Sequence, residues 1–162
     1  MTKNYLIYAD ICCLCRPLDD LQQSRIKLEA EAIISILEKC EQKKWTLVNS
    51  DVIEFEIAKS VNYKKEKLEK LLSIATDATN YLKTNEAVKL LASDLVKLGF
   101  KLYDALHLAS AQVYNLDVFL TTDDRLLRKA KKYPDLITIK VENPVTWLII
   151  VLQEENDETN RN

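Results

Sequence analysis

The sequence predicts an α/β protein, a single domain of three α/β/α layers with a short parallel sheet at its centre. Three observations carry the prediction. Short apolar runs of strand character alternate with longer runs of helical period, the pattern that yields parallel strands joined by helical crossovers. The length of 162 residues suits one core. The composition, 48% hydrophobic and 30% charged, is that of a folded globular chain. Residues 1–152 are expected to form the domain, and residues 153–162 a polar tail that frays.

Tyr5 to Ala9 is a short apolar run closed by Asp10, and reads as a buried strand. From Leu18 to about Lys43, Leu21, Ile26, Leu28, Ala32, Ile33, Ile36, Leu37 and Cys40 recur mostly at helical intervals and predict one long helix. Trp45 to Val48 reads as a second strand. Asp51 to about Asn62 is helical, with Ser50 or Asp51 as its N-cap. Lys64 to Ala75 is a lysine-rich amphipathic helix, and Asn85 to Leu98 another, stopped by Gly99. Tyr103 to Tyr114 is an alanine-rich helix and Asp117 to Thr121 a third strand. Asp124 to Lys132 is a basic helix ending before Pro134, and Leu136 to Val141 a fourth strand. Asn143-Pro144 opens a terminal helix, with Pro suited to the first turn.

Composition excludes several chemistries. With a single glycine, Gly99, no glycine-rich phosphate loop can be built. With a single histidine, His107, there is no two-histidine metal site. Cys12, Cys13, Cys15 and Cys40 include one C-x-x-C spacing but no second pair to complete a zinc site. They read as free thiols, mostly buried. Free thiols and an N-terminus without an apolar signal region point to the cytoplasm. No apolar run reaches the roughly 18 residues of a membrane span. A net charge of −2 gives no argument for a nucleic-acid or membrane partner.

What remains distinctive is the placing of acids. Ligands of open α/β sheets sit outside the carboxyl ends of the strands. Asp10 ends the first strand, and Asp123 and Asp124 follow the third. Taken singly, each also suits a turn or an N-cap. On a helical wheel Glu56 falls about 40° from Val52, inside the apolar arc, whereas Glu54 lies on the far side. A carboxylate aimed at packed surface must be ion-paired, protonated or bound to a cation. Asp104 also leans towards packed positions, Leu108 and Ala111, although it suits a helix first turn as well. Carboxylates converging in one cleft would repel each other unless a cation lay between them. Oxygen-only ligands select Mg²⁺ or Mn²⁺, the usual apparatus of phosphodiester hydrolysis.

At these residues the sequence resembles a PIN-domain ribonuclease, the fold also used by VapC-type toxins. The family pattern is an Asp ending the first strand, a Glu in the helix after the second, an Asp opening a later helix and a T-x-D after the next strand. The matching residues are Asp10 in Tyr8-Ala9-Asp10, Glu56 in Ser50-Asp51-Val52-Ile53-Glu54-Phe55-Glu56-Ile57, Asp104 in Tyr103-Asp104-Ala105-Leu106-His107, and Asp123 in Thr121-Thr122-Asp123-Asp124-Arg125-Leu126. Cys12 to Asp20, with Arg16-Pro17-Leu18-Asp19-Asp20, followed by Arg25 to Ala32, is similar to a bacterial PIN subgroup, with Leu18 replacing an aromatic. Ile11 and Cys12 stand where the family usually has Thr or Ser and then Asn.

The resemblance implies an endoribonuclease in which Asp10, Glu56, Asp104 and Asp123 hold Mg²⁺ or Mn²⁺. Thr121 and Asp124 would support the site, with Asp123 and Asp124 open as alternatives for the fourth ligand. It also implies an RNA substrate, a homodimer and an antitoxin partner. Arg16, Arg125, Arg128 and Lys129 are the candidate RNA contacts, and the 85–98 helix and the C-terminal helix the candidate protein contacts. Two alternatives stand beside it: a PIN-fold binding module of weak or no activity, which Ile11 and Cys12 favour, and a phosphoacceptor signalling domain, which would need a second acid beside Asp10.

Overall fold

The computed structural model describes residues 3–162. Strand β1 (Leu6–Ala9) is followed by a short helix α1 (Ile11–Cys15), a 3-10 turn at Arg16–Leu18 and helix α2 (Ser24–Glu41). Strands β2 (Thr46–Leu47) and β3 (Asn49–Ser50) precede helices α3 (Asp51–Ala58) and α4 (Asn62–Ala75). Strand β4 (Tyr81–Leu82) leads to α5 (Glu86–Lys97) and α6 (Leu102–Val113). Then come β5 (Val118–Leu120), α7 (Asp124–Lys131), β6 (Val141–Glu142) and α8 (Pro144–Arg161).

The main sheet has the order β2-β1-β5-β6 and every pairing in it is parallel. Strand β1 is central and buried from Ile7 onward, as a strand covered by helices on both faces must be. It pairs Leu6 with Thr46 on one side and Ile7 with Val118 on the other. The chain builds outward from β1 first to one edge and then to the other, so the switch point lies between β1 and β5. The crevice in which open α/β sheets take their ligands lies at such a point, outside the carboxyl ends of the strands. Tyr8 stacks on Phe119 across these two strands, with ring centroids 5.4 Å apart. At the opposite end, Tyr5, Trp45 and Trp147 meet edge to face and anchor α8 to the sheet.

The elements expected from periodicity are present, with four corrections. The helix expected from Leu18 starts at Ser24. The Asp20 carboxylate accepts the amide of Gln22 at 3.1 Å, a local bond that competes with the helical one. The strand expected over Trp45–Val48 is confined to Thr46–Leu47, and a further strand, Asn49–Ser50, joins β4 in a separate parallel pair. The strand expected over Leu136–Val141 is confined to Val141–Glu142. Ile137 closes a turn on the Tyr133 carbonyl at 2.8 Å, and the Gln112 side chain takes the amides of Thr138 and Ile139. Finally, α8 continues through the expected tail to Arg161. Gln153–Arg161 contains no proline or glycine to stop it.

Gly99 ends α5 as foreseen. Its φ is +93°, its amide bonds the Val96 carbonyl at 2.9 Å, and the Phe100 amide bonds the Leu95 carbonyl at 3.1 Å. These are the two bonds of a Schellman cap, which a left-handed residue makes possible. The turn sends α6 back against α5 and so sets the position of Asp104 at the start of α6.

Candidate active site

Asp10 follows β1 directly. Its backbone amide bonds the Leu120 carbonyl of β5 at 3.1 Å, and its side chain caps α1 by accepting the Cys13 amide at 3.0 Å. The residue is only 5% exposed. Burial pushes its carboxyl up to about 6, against the Thr121 hydroxyl, the Cys13 amide and His107, which pull it down, while Asp104 pushes it up further. Asp104, in the first turn of α6, is half-buried. Burial raises its carboxyl too; His107 and Lys101 oppose the shift, whereas Asp123 and Glu56 add to it.

Asp123 caps α7, accepting the amides of Arg125 at 2.9 Å and Leu126 at 3.3 Å, while its own amide bonds Thr121 Oγ1 at 3.1 Å. The Thr121 hydroxyl thus ties the end of β5 to the start of α7. Glu56 sits on the inner side of α3, as its wheel position requires. Glu54 is exposed and accepts the Tyr81 hydroxyl at 2.7 Å. Cys12 senses the whole arrangement. Packing around its sulfur pushes the thiol up to about 12, and Asp10, Asp123, Asp104 and Glu56 all push the same way. Four acids far apart in sequence thus act on one thiol at the end of the sheet.

Not every expected site residue stands there free. Asp124 receives both terminal nitrogens of Arg25 at 2.7 Å, and its carboxyl is lowered chiefly by that hydrogen bonding. Arg16 is engaged by Asp19 and by Glu29, each at 2.9 Å. Arg125 lines a recess of about 160 Å³ together with Lys101, Lys129, Asp104 and Asp123, which extends the crevice towards Gly99. Lys129 hydrogen-bonds the Gly99 carbonyl and lies over the Phe100 ring at 5.0 Å. Arg128 is exposed on the same helix.

The residue that sequence reasoning set aside is His107. Its Nε2 lies 2.6 Å from Glu56 Oε2, and its Nδ1 is hydrogen-bonded to the Tyr8 hydroxyl. The available signal was its place three residues after Asp104, on the same side of one helix.

The donor set suits a hard cation in its chemistry: carboxylate oxygens, two of them with raised proton affinity because of burial and one another. Among the described residues no three His, Cys, Asp or Glu side chains stand in a metal-holding group. The match is thus one of donor type and electrostatics. The thiols add nothing to it: all four are free, Cys13 and Cys40 buried as expected, Cys15 half-buried and Cys12 exposed.

No curated protein matches the chain. Among solved structures the chain is similar to VapBC-1 from nontypeable Haemophilus influenzae, at 18% identity and a TM-score of 0.55, over 86% of this chain and 98% of that one. That likeness is one of fold. The PIN domain model matches residues 24–132, a span that holds Glu56, Asp104 and Asp123 and leaves Asp10 just before it. On that match over most of its length, the chain belongs to the PIN domain family.

Proposed function

We propose that this protein is a Mg²⁺- or Mn²⁺-dependent endoribonuclease, and the toxin of a toxin–antitoxin pair. The observation that carries the reading is the crevice at the switch point. Asp10 and Asp104 are pushed towards protonation by burial and by neighbouring acids, an arrangement unfavourable for the chain alone and relieved by a cation. Asp10, Asp104, Asp123 and Glu56 are the residues that would hold it. When bound, such an ion neutralises a phosphodiester oxygen and activates water for attack at phosphorus.

The chain's own residues do the rest. Asp10 is fixed by the cap of α1 and Asp123 by the cap of α7, so their carboxylates are oriented before substrate arrives. Thr121 holds the Asp123 amide and keeps β5 and α7 in register. Lys101, Arg125 and Lys129 on the recess give the strand a positive approach beside the acids. Arg16 has a structural occupation in its pairs with Asp19 and Glu29. The partner reading, a second copy and an antitoxin, is supported by apolar side chains left in solvent on the two expected helices: Leu90 on α5 and Ile149 on α8. No described helix is long and apolar enough to cross a membrane.

The test is cleavage of single-stranded RNA with Mn²⁺ by wild type, Asp10→Asn and Asp104→Asn. The expected result is cleavage by wild type alone, with both variants folded. Full cleavage by the metal-loaded double variant overturns the mechanism. The second reading, an inactive binding module, is favoured by Cys12, which brings a sulfur beside the acids where a hydroxyl or amide is usual. It predicts RNA binding without cleavage by wild type.

A further inference from the structure

A closed circuit of hydrogen bonds runs behind the crevice. Ser50, the N-cap of α3, accepts the Ile53 amide at 3.0 Å. Its Oγ lies 2.9 Å from the Tyr8 hydroxyl on β1. Tyr8 bonds His107 Nδ1 on α6, and His107 Nε2 meets Glu56 Oε2 at 2.6 Å, back on α3. Ser50 and Tyr8 are fully buried and His107 is 1% exposed, whereas the Glu56 side chain retains 31% exposure. The circuit thus begins and ends on one helix and has a single member open to solvent.

Its polarity follows from counting protons. The Glu56 carboxylate has only acceptors, so His107 Nε2 carries the hydrogen and donates. In that ring Nδ1 is bare and accepts from Tyr8. The Tyr8 oxygen then accepts from Ser50, whose oxygen takes the Ile53 amide. Every donor has an acceptor.

We propose that His107 is a positioning residue, which through its Nε2–H holds Oε2 of Glu56 against α6 and leaves Oε1 as the oxygen offered to a cation in the crevice. Tyr8 and Ser50 fix the tautomer. The inference rests on the metal-dependent reading above. Partners of this kind behind a metal-binding carboxylate are worth 10- to 100-fold in metal affinity.

The experiment is Mn²⁺ titration by calorimetry on wild type, His107→Phe, His107→Gln and Tyr8→Phe, with melting curves in EDTA for each. Phe keeps the ring volume and removes both polar atoms; Gln keeps one donor and one acceptor. The expected result is Mn²⁺ affinity lower by about 10- to 100-fold in His107→Phe, partly rescued in His107→Gln, and reduced to a lesser degree in Tyr8→Phe. Nitrogen-15 NMR of the wild-type ring is expected to show the Nε2–H tautomer. Wild-type binding with undiminished affinity in a folded His107→Phe overturns the role of His107 and leaves the metal reading standing. If His107→Phe does not fold, undiminished affinity in Tyr8→Phe, or an Nδ1–H ring, overturns it instead. Wild type indifferent to Mn²⁺ overturns the metal reading, and this role with it.

Discussion

Two buried acidic regions of this molecule are solved in opposite ways. Glu29 on α2 is 1% exposed, and three donors from three parts of the chain close on it. Arg16 reaches Oε1 at 2.9 Å, and Arg25 and Asn143 reach Oε2 at 3.4 and 2.6 Å. The Glu29 node ties the Arg16 turn, α2 and the start of α8 together, and it is complete. In the crevice, by contrast, Asp10 and Asp104 face further acids, and burial raises both. A buried acid satisfied by its own chain is architecture. Acids left facing one another are a cost to the fold, and such groups gather at functional sites.

The comparison is most sharply broken at Glu29. Replacing it with Leu removes the acceptor that Arg16, Arg25 and Asn143 share, while Arg16 keeps Asp19 and Arg25 keeps Asp124, and about 1–3 kcal/mol of stability should be lost in urea unfolding. Mn²⁺ binding by the surviving folded fraction should be unchanged. A loss much below that range would remove the distinction between the regions.

The crevice should behave in the reverse sense. Asp10 titrates at about 6 in the fold, above its ordinary 3.8. The native state therefore binds more protons than the unfolded chain across this interval, so stability falls as pH rises from about 4 to about 6. A shift of roughly two units corresponds to about 3 kcal/mol as an upper bound. Urea unfolding in EDTA across that interval should show the decline. Asp10→Asn, which keeps the α1 cap, should abolish this contribution and be more stable than wild type at pH 7 by about 1–3 kcal/mol.

Mn²⁺ at a hundred times its dissociation constant should stabilise wild type by about 2.7 kcal/mol, and the same concentration should stabilise Asp10→Asn or Asp123→Asn far less. The smallest effect is expected at Asp124. Its carboxylate is exposed to solvent and paired with Arg25, so Asp124→Asn should shift the melting temperature little and leave the Mn²⁺ response intact. A lost response there would make Asp124, rather than Asp123, part of the crevice.

Much of this was legible in the sequence, and the limits have physical causes. Strand-helix alternation gave the parallel sheet, and the wheel separated Glu56 from Glu54, because both depend on local period. The strand pair of β3 and β4 was not visible, since two residues carry no alternation and their pairing joins Asn49 to Tyr81. The role of His107 was hidden for a similar reason. Its partners lie 51 and 99 residues away in the chain, and no spacing rule links them. Arg16 read as a candidate RNA contact, yet its guanidinium, like that of Arg25, bonds Glu29, which carries no distinguishing mark in α2.

The lone glycine has a consequence of its own. A Cβ at Gly99 would come within 2.9 Å of the Lys129 amine, which reaches back from α7 to the Gly99 carbonyl. That contact acts as a buckle between the α5–α6 hairpin and α7, with Asp104 on one strap and Asp123 on the other. Any side chain at residue 99 would strain the backbone, whose φ of +93° suits glycine, and would push the flexible end of Lys129 aside. The turn that leads into Asp104 thus rests on a backbone conformation that the absence of a single carbon atom allows.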